Sequence, residues 1–216
     1  MPLKRFEKLS LEQQSEILDV ARTEFVKHGF DGMSLNLLLQ EMNVTKGQFY
    51  YWFEDKADLF LTLLQEAATN INQVVRNTGL PSSPDTFWDH LGRYQTEMDA
   101  WWADNPHHIS VYARAIELIQ LPSHPLISDL ESLYSPLQKH FLETLRLGVD
   151  WGLVRCDIPL DGVAFLADKV NSGFDMYGMV SFQKIDLEGW APPERFFEIC
   201  SQLRRKTLRA LLEMTA

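Results

Sequence analysis

Residues 29–60, GFDGMSLNLLLQEMNVTKGQFYYWFEDKADLF, decide the fold of this chain. Ser34 has the hydroxyl an N-cap needs, and Leu35, Leu38 and Leu39 follow on one helical face. Asn43 interrupts the pattern, because asparagine tolerates a positive φ better than most residues. Thr45 and Gln48 then form a capping box that opens a second short helix, with Phe49 and Phe53 four apart on its inner side. Two helices of about eight and seven residues joined by so short a turn have the geometry of a helix-turn-helix, spanning about 34–53. Asp55 caps the next, longer helix, in which Leu59, Phe60, Leu63, Leu64, Ala67, Ala68 and Ile71 recur to about Asn77.

Outward from this stretch the spacing of apolar residues stays helical. Ser10 with Gln13 opens a first helix from about Leu11 to His28, and Gly29 is placed to end it in the left-handed conformation. Ser83-Pro84 and Asn105-Pro106 read as helix starts, predicting helices from Pro84 to about Ala103 and then on to Ile119. A long segment runs to about Trp151, with Pro136 inside it expected to kink or split the helix. Helices from about Leu160 to Phe182 and, after Gly189 and Pro192-Pro193, to about Met214 complete an all-α chain of roughly nine helices. The expected organisation is a three-helix domain over 1–54 and a helical domain over 55–216.

Composition narrows the function. The chain has 216 residues, 45% of them hydrophobic, and a formal net charge of −10. That balance argues against binding nucleic acid through bulk charge, so any such contact must come from a local patch. Such a patch exists: no acidic residue lies between Val44 and Phe53, whereas Thr45, Lys46, Gln48, Tyr50, Tyr51 and Trp52 carry donors suited to phosphates and base edges. Gly47 lets the backbone approach closely. The apolar stretches are too short for a membrane span and the N-terminus lacks a secretory h-region, so a cytoplasmic protein is expected.

Other chemistry finds little footing. Cys156 and Cys200 have neither disulfide-framework nor zinc spacing. His107 and His108 are adjacent and so diverge on a helix, and His124 and His140 lack partners at ligand spacing; no metal and no cofactor is expected. Gly-rich phosphate loops, G-x-S-x-G and HExxH are absent, which speaks against an enzyme.

The stretch resembles the TetR family of transcriptional regulators, over about Leu11 to Leu64. The resemblance rests on Gly29-Phe30, Ser34, Val44-Thr45-Lys46-Gly47, Phe49-Tyr50 with Phe53, and Asp55-Lys56 before Asp58-Leu59-Phe60. It implies that Ser34, Asn36, Thr45, Lys46, Gly47, Gln48, Tyr50, Tyr51 and Lys56 touch DNA, mainly phosphates. Gln48 is the candidate for reading a base edge, since glutamine can pair bidentately with adenine. Lys56 would clamp a phosphate. Trp52 stands where the family commonly has a histidine phosphate ligand. Leu39, Met42 and Asn43 replace the smaller residues usual there, which implies an altered spacing or angle between the two helices.

The same resemblance implies an operator that is an inverted repeat in double-stranded DNA, a homodimer through about 160–182 and 193–214, and a helical effector pocket. The expected activity is repression relieved by a small apolar or aromatic effector. Regulation without an effector, or a helical protein-interaction scaffold, are the alternatives. Trp88, Tyr94, Trp102, Tyr112, Phe174 and Tyr177 are the candidate pocket aromatics, with core packing as their plainer role. Tyr94, Arg114, Asp168, Asn171 and Asp175 could supply the polar groups that fix a ligand. Gly162, Ala164, Ala167, Gly173 and Gly178 are small enough to let a partner helix approach, or to serve packing within the chain. Arg204, Arg205, Lys206 and Arg209 read as a solvated face.

Overall fold

The computed structural model describes residues 2–119, 121, 123–188 and 195–213. Among them are nine α-helices: α1 (Leu11–Gly32), α2 (Leu35–Glu41), α3 (Lys46–Trp52), α4 (Lys56–Thr78), α5 (Phe87–Asp104), α6 (Pro106–Ile119), α7 (Ile127–Asp150), α8 (Leu160–Glu188) and α9 (Phe196–Leu212). Ser83-Pro84 opens only a 3-10 turn, Pro84–Thr86, ahead of α5. The expected joint at Gly189 and Pro192-Pro193, and a helix end at Met214, lie outside the described residues. Among those residues no helix is long and apolar enough to cross a membrane.

The caps form as local chemistry dictates. Ser10 Oγ accepts the Gln13 N–H while Gln13 Oε1 accepts the Ser10 N–H, and Thr45 with Gln48 repeats that exchange. Gly29 takes φ 69° and breaks α1 near the expected place, with a last turn added beyond it. Pro136 does not split α7, which is assigned as helix from Ile127 to Asp150. Proline lacks only one donor, and neighbouring turns and packing can hold a helix around it.

The packing divides the chain into two units, and not at residue 54. The first comprises Met1–Asn70 with His107–Leu133, the second Ile71–Pro106 with Tyr134–Ala216. In the first unit Phe25, Leu38, Phe49, Phe53 and Phe60 are fully buried, and Val111, Ala115, Leu118, Leu126 and Leu130 belong to the same core. The Phe25 and Phe60 rings lie 5.0 Å apart, and Phe6 meets Phe53 at 4.8 Å. Arg114 on α6 donates to the Val26 carbonyl at 2.6 and 3.1 Å, satisfying an acceptor near the end of α1. That use commits Arg114 to the first unit rather than to a ligand.

In the second unit Phe87, Leu145, Val154, Val163, Ala167 and Leu212 form the core, with α9 packed on α5 and α8. Arg204 corrects the expectation of a solvated basic face. It is buried, with guanidinium nitrogens 3.3 Å from Asp99 Oδ1 and 2.6 Å from Asp175 Oδ1. Burial pushes the Asp175 carboxyl up, against the pull of Arg204 in the opposite direction. Gln95 and Ser201 also donate to Asp99, so the cluster satisfies most of its polar atoms.

Candidate nucleic-acid interface

Each helix of the pair is positioned by its own sequence. Ser34 Oγ accepts the Leu37 N–H and starts α2, whose Leu38 and Leu39 are buried. Met42 is buried too, and Asn43 takes φ 52° in the turn, the conformation its short amide side chain tolerates. The bulk at Leu39 and Met42 is thus absorbed by the core. In α3, Phe49, Trp52 and the following Phe53 point inward, while Thr45, Lys46, Gly47, Gln48, Tyr50 and Tyr51 are exposed. Tyr50 and Tyr51 are large aromatics left exposed, at 44% and 53%. Ser34 and Asn36 are exposed at the start of α2.

Three of the expected contact residues are engaged by the fold itself. Trp52 is not on the outer face: it is buried, and its ring packs edge-on against Phe6 with centroids 6.4 Å apart. A seven-residue helix that buries positions 49 and 53 must also turn position 52 toward the core. Lys56 is engaged by its own fold. Its Nζ donates to the Phe30 and Met33 carbonyls at 2.6 and 2.8 Å and lies 4.4 Å from the centre of the Phe30 ring. Burial lowers its pKa, so the ammonium has already given up part of its hydration to cap the end of α1. Gln48 Oε1 is held by the Thr45 N–H and hydroxyl at 2.8 and 2.9 Å. Bidentate pairing with adenine would require it to leave that cap; its Nε2 can donate without doing so.

An element beyond the helix pair borders the same surface. The Leu3 N–H donates to the Trp52 carbonyl at 2.8 Å, and Phe6 is buried against Trp52 and Phe53. The helix-turn-helix motif does not include this segment. The spacing of Leu3, Phe6 and Leu9 within charged neighbours was the available signal.

The second unit contains a half-open cavity of about 530 Å³ between α5 and α9. Trp88, Leu91, Phe141, Leu208 and Leu212 supply its apolar walls, and its polar ones include Asp89, Tyr94, Asn171, Arg205, Lys206 and Arg209. Of the expected pocket residues it gathers Trp88, Tyr94 and Asn171. Tyr112 belongs to the first unit. Trp102 meets Trp101 edge-to-face, Phe174 lies under the Arg204 guanidinium and Tyr177 is exposed, and none of them lines the cavity. Asp175 is committed to Arg204, and Asp168 is exposed beside Lys169. Asn171 Oδ1 is buried with no hydrogen-bond partner among the described residues.

An all-helical chain with a capped helix-turn-helix and a donor-rich outer face defines a DNA-binding transcriptional regulator. Residues 17–63 match the bacterial regulatory proteins of the tetR family. The chain is 36% identical over 179 residues to the HTH-type transcriptional repressor AcnR of Corynebacterium diphtheriae, covering 81% of this chain and 84% of that protein. Its fold matches a TetR family regulator from Chloroflexus aurantiacus, with TM-score 0.69, 20% identity and 100% of both chains covered. It also matches FadR from Bacillus subtilis in complex with stearoyl-CoA, with TM-score 0.65, 14% identity, and 91% and 96% of the two chains covered. The chain belongs to the TetR family of transcriptional regulators.

Proposed function

We propose that the protein is a homodimeric repressor that reads an inverted-repeat operator with α3 and leaves it when a small organic effector occupies the second unit. The observation that carries the DNA reading is the outer face of α3: Thr45, Lys46, Gly47, Gln48, Tyr50 and Tyr51 are all exposed and none is acidic. Neutral donors on this face suit phosphate oxygens and base edges without requiring a basic chain. Its relative from Corynebacterium diphtheriae is a repressor, which supports that direction of control.

Assembly is supported by Phe165, Leu166 and Tyr177 on α8 and Ile199 and Leu203 on α9, all exposed and apolar or aromatic. An isologous contact through these helices would cover them in both protomers. Gly173 and Gly178 add open backbone there, since a Cβ placed on either would meet nothing within 4 Å. Ala167 does not belong to that surface, because it is buried in the core of its own chain.

The cavity supports the effector. Its apolar walls fit the expected apolar or aromatic body, and Arg205, Lys206 and Arg209, which outnumber the one lining carboxylate, Asp89, add a preference for an acidic group on it. Such a ligand releases DNA only to the extent that it binds the DNA-free conformation more tightly.

Selection of bound duplexes from a random pool tests the reading. The expected product is an inverted repeat whose half-sites lie about one helical turn apart, or a multiple of it. A pool that stays random after repeated rounds overturns it.

A further inference from the structure

We propose that the segment Leu3–Lys8 is a second DNA-contacting element, in which Lys4 and Arg5 take backbone phosphates beside the recognition helix. The inference rests on the reading of α3 as that helix. It starts from an anchor. Leu3 is tied through its N–H to the Trp52 carbonyl, and Phe6 is 2% exposed beneath Trp52 and Phe53. The segment folds back on itself through Phe6 N–H to Leu3 O and Leu9 N–H to Phe6 O, at 2.8 and 3.0 Å. Two of its apolar residues are thus fixed to the core, and the residues between and after them are displayed next to α3.

Those displayed residues are cationic. Lys4, Arg5 and Lys8 are exposed, against Glu7 as the one carboxylate of the segment. None of the three cations has a carboxylate within ion-pair distance among the described residues. The Arg5 guanidinium carbon lies 4.7 Å from the centre of the Tyr51 ring, on the face of α3 already assigned to DNA. Stacking on an aromatic face leaves the N–H edges of a guanidinium pointing outward, where a phosphate can accept two of them. Tyr51 therefore holds the arginine within the footprint of the helix, with less rotamer freedom left to lose on binding.

The charge of the surroundings gives the arrangement a purpose. In a chain of net charge −10, Lys46 is the one cation on α3, and Lys56 is occupied by carbonyls. Lys4 and Arg5 bring the local surface the positive charge that α3 lacks. They would position the protein on DNA without reading sequence.

Binding to the selected operator and to a scrambled duplex, at several salt concentrations, tests this with Lys4→Gln, Arg5→Gln, Arg5→Lys, Lys46→Gln and, as a control in the second unit, the exposed Lys139→Gln. Lys4→Gln and Arg5→Gln are expected to weaken both duplexes alike and to flatten the slope of log K against log salt by about 0.9 for each phosphate lost. Arg5→Lys should keep the slope, Lys139→Gln should change nothing, and melting temperatures should stay put. If Lys46→Gln flattens the slope while Lys4→Gln and Arg5→Gln leave it intact, the segment is only a structural strap and the proposal falls. If neither the segment variants nor Lys46→Gln alters binding, the reading of α3 falls with it.

Discussion

Replacing Lys56 by methionine separates a structural lysine from a phosphate clamp. The substitution keeps the aliphatic stem and removes the ammonium that bonds the Phe30 and Met33 carbonyls. A hydrogen bond from a charged donor contributes roughly 1.5–3 kcal/mol net. One ammonium serves both acceptors and is partly desolvated, as its lowered pKa indicates, so the two contributions do not add in full. A loss of about 2–3 kcal/mol follows once the offsetting desolvation is counted. At about 2–4 °C per kcal/mol for a chain of this length, the melting temperature should fall by about 4–12 °C. Thermal melts followed by tryptophan fluorescence measure this, and salt titrations on a scrambled duplex supply the other half. If Lys56 caps α1, the Lys56→Met protein melts early and its salt slope is unchanged. An unchanged melting temperature with a slope flattened by about 0.9 would refute the reasoning and restore the phosphate contact.

Two further outcomes bear on the second unit. Gly148→Ala should destabilise by about 1–3 kcal/mol, because the new Cβ would sit 2.5 Å from Val154 Cγ2 and 2.6 Å from Phe87 Cζ, both fully buried. The helical gain of alanine over glycine, about 1 kcal/mol, opposes this, so a raised urea midpoint would show that the core yields more easily than its packing indicates. Stability should also fall as pH drops below about 6.5, the value of an unfolded histidine. His90 and His140 have pKa values lowered mainly by burial, so in that window the unfolded chain takes up protons that the folded one refuses. Urea midpoints at pH 7.5 and 5.5 measure the effect, His90→Gln should reduce it, and a midpoint that does not move contradicts the assignment.

The parts of the molecule legible in the sequence are those fixed within one or two turns. Ser10 with Gln13, Ser34, Thr45 with Gln48, and Asp55 all cap where their spacing says, because donor and acceptor are three residues apart. Asn43 likewise takes its positive φ for a local reason. What the sequence hid is non-local. Arg204 looks like its neighbours in a basic run, and only the arrival of Asp99 and Asp175 from α5 and α8 makes its burial tolerable. Trp52 reads as a polar-tipped surface residue until Phe6 is seen to cover it. The aromatics of the second unit divide between cavity, core and surface according to helix rotations that apolar spacing leaves open. Trp88 and Tyr94 fall on the cavity side of α5, and Tyr177 falls on the outside of α8.

The first unit is assembled from two stretches far apart in the chain, and this bears on its synthesis. Arg114 must travel back 88 positions to reach the Val26 carbonyl, and Val111, Ala115 and Leu118 must follow to complete the core around Phe25 and Phe60. At roughly 5–20 residues per second, a ribosome delivers α6 some 4–18 seconds after that part of α1. During that interval the helix-turn-helix is present as sequence while one wall of its core is missing. The nascent chain then carries exposed phenylalanines that invite chaperones, proteases or its own neighbours on the polysome. A gene fragment ending at residue 54 would make that vulnerable state permanent.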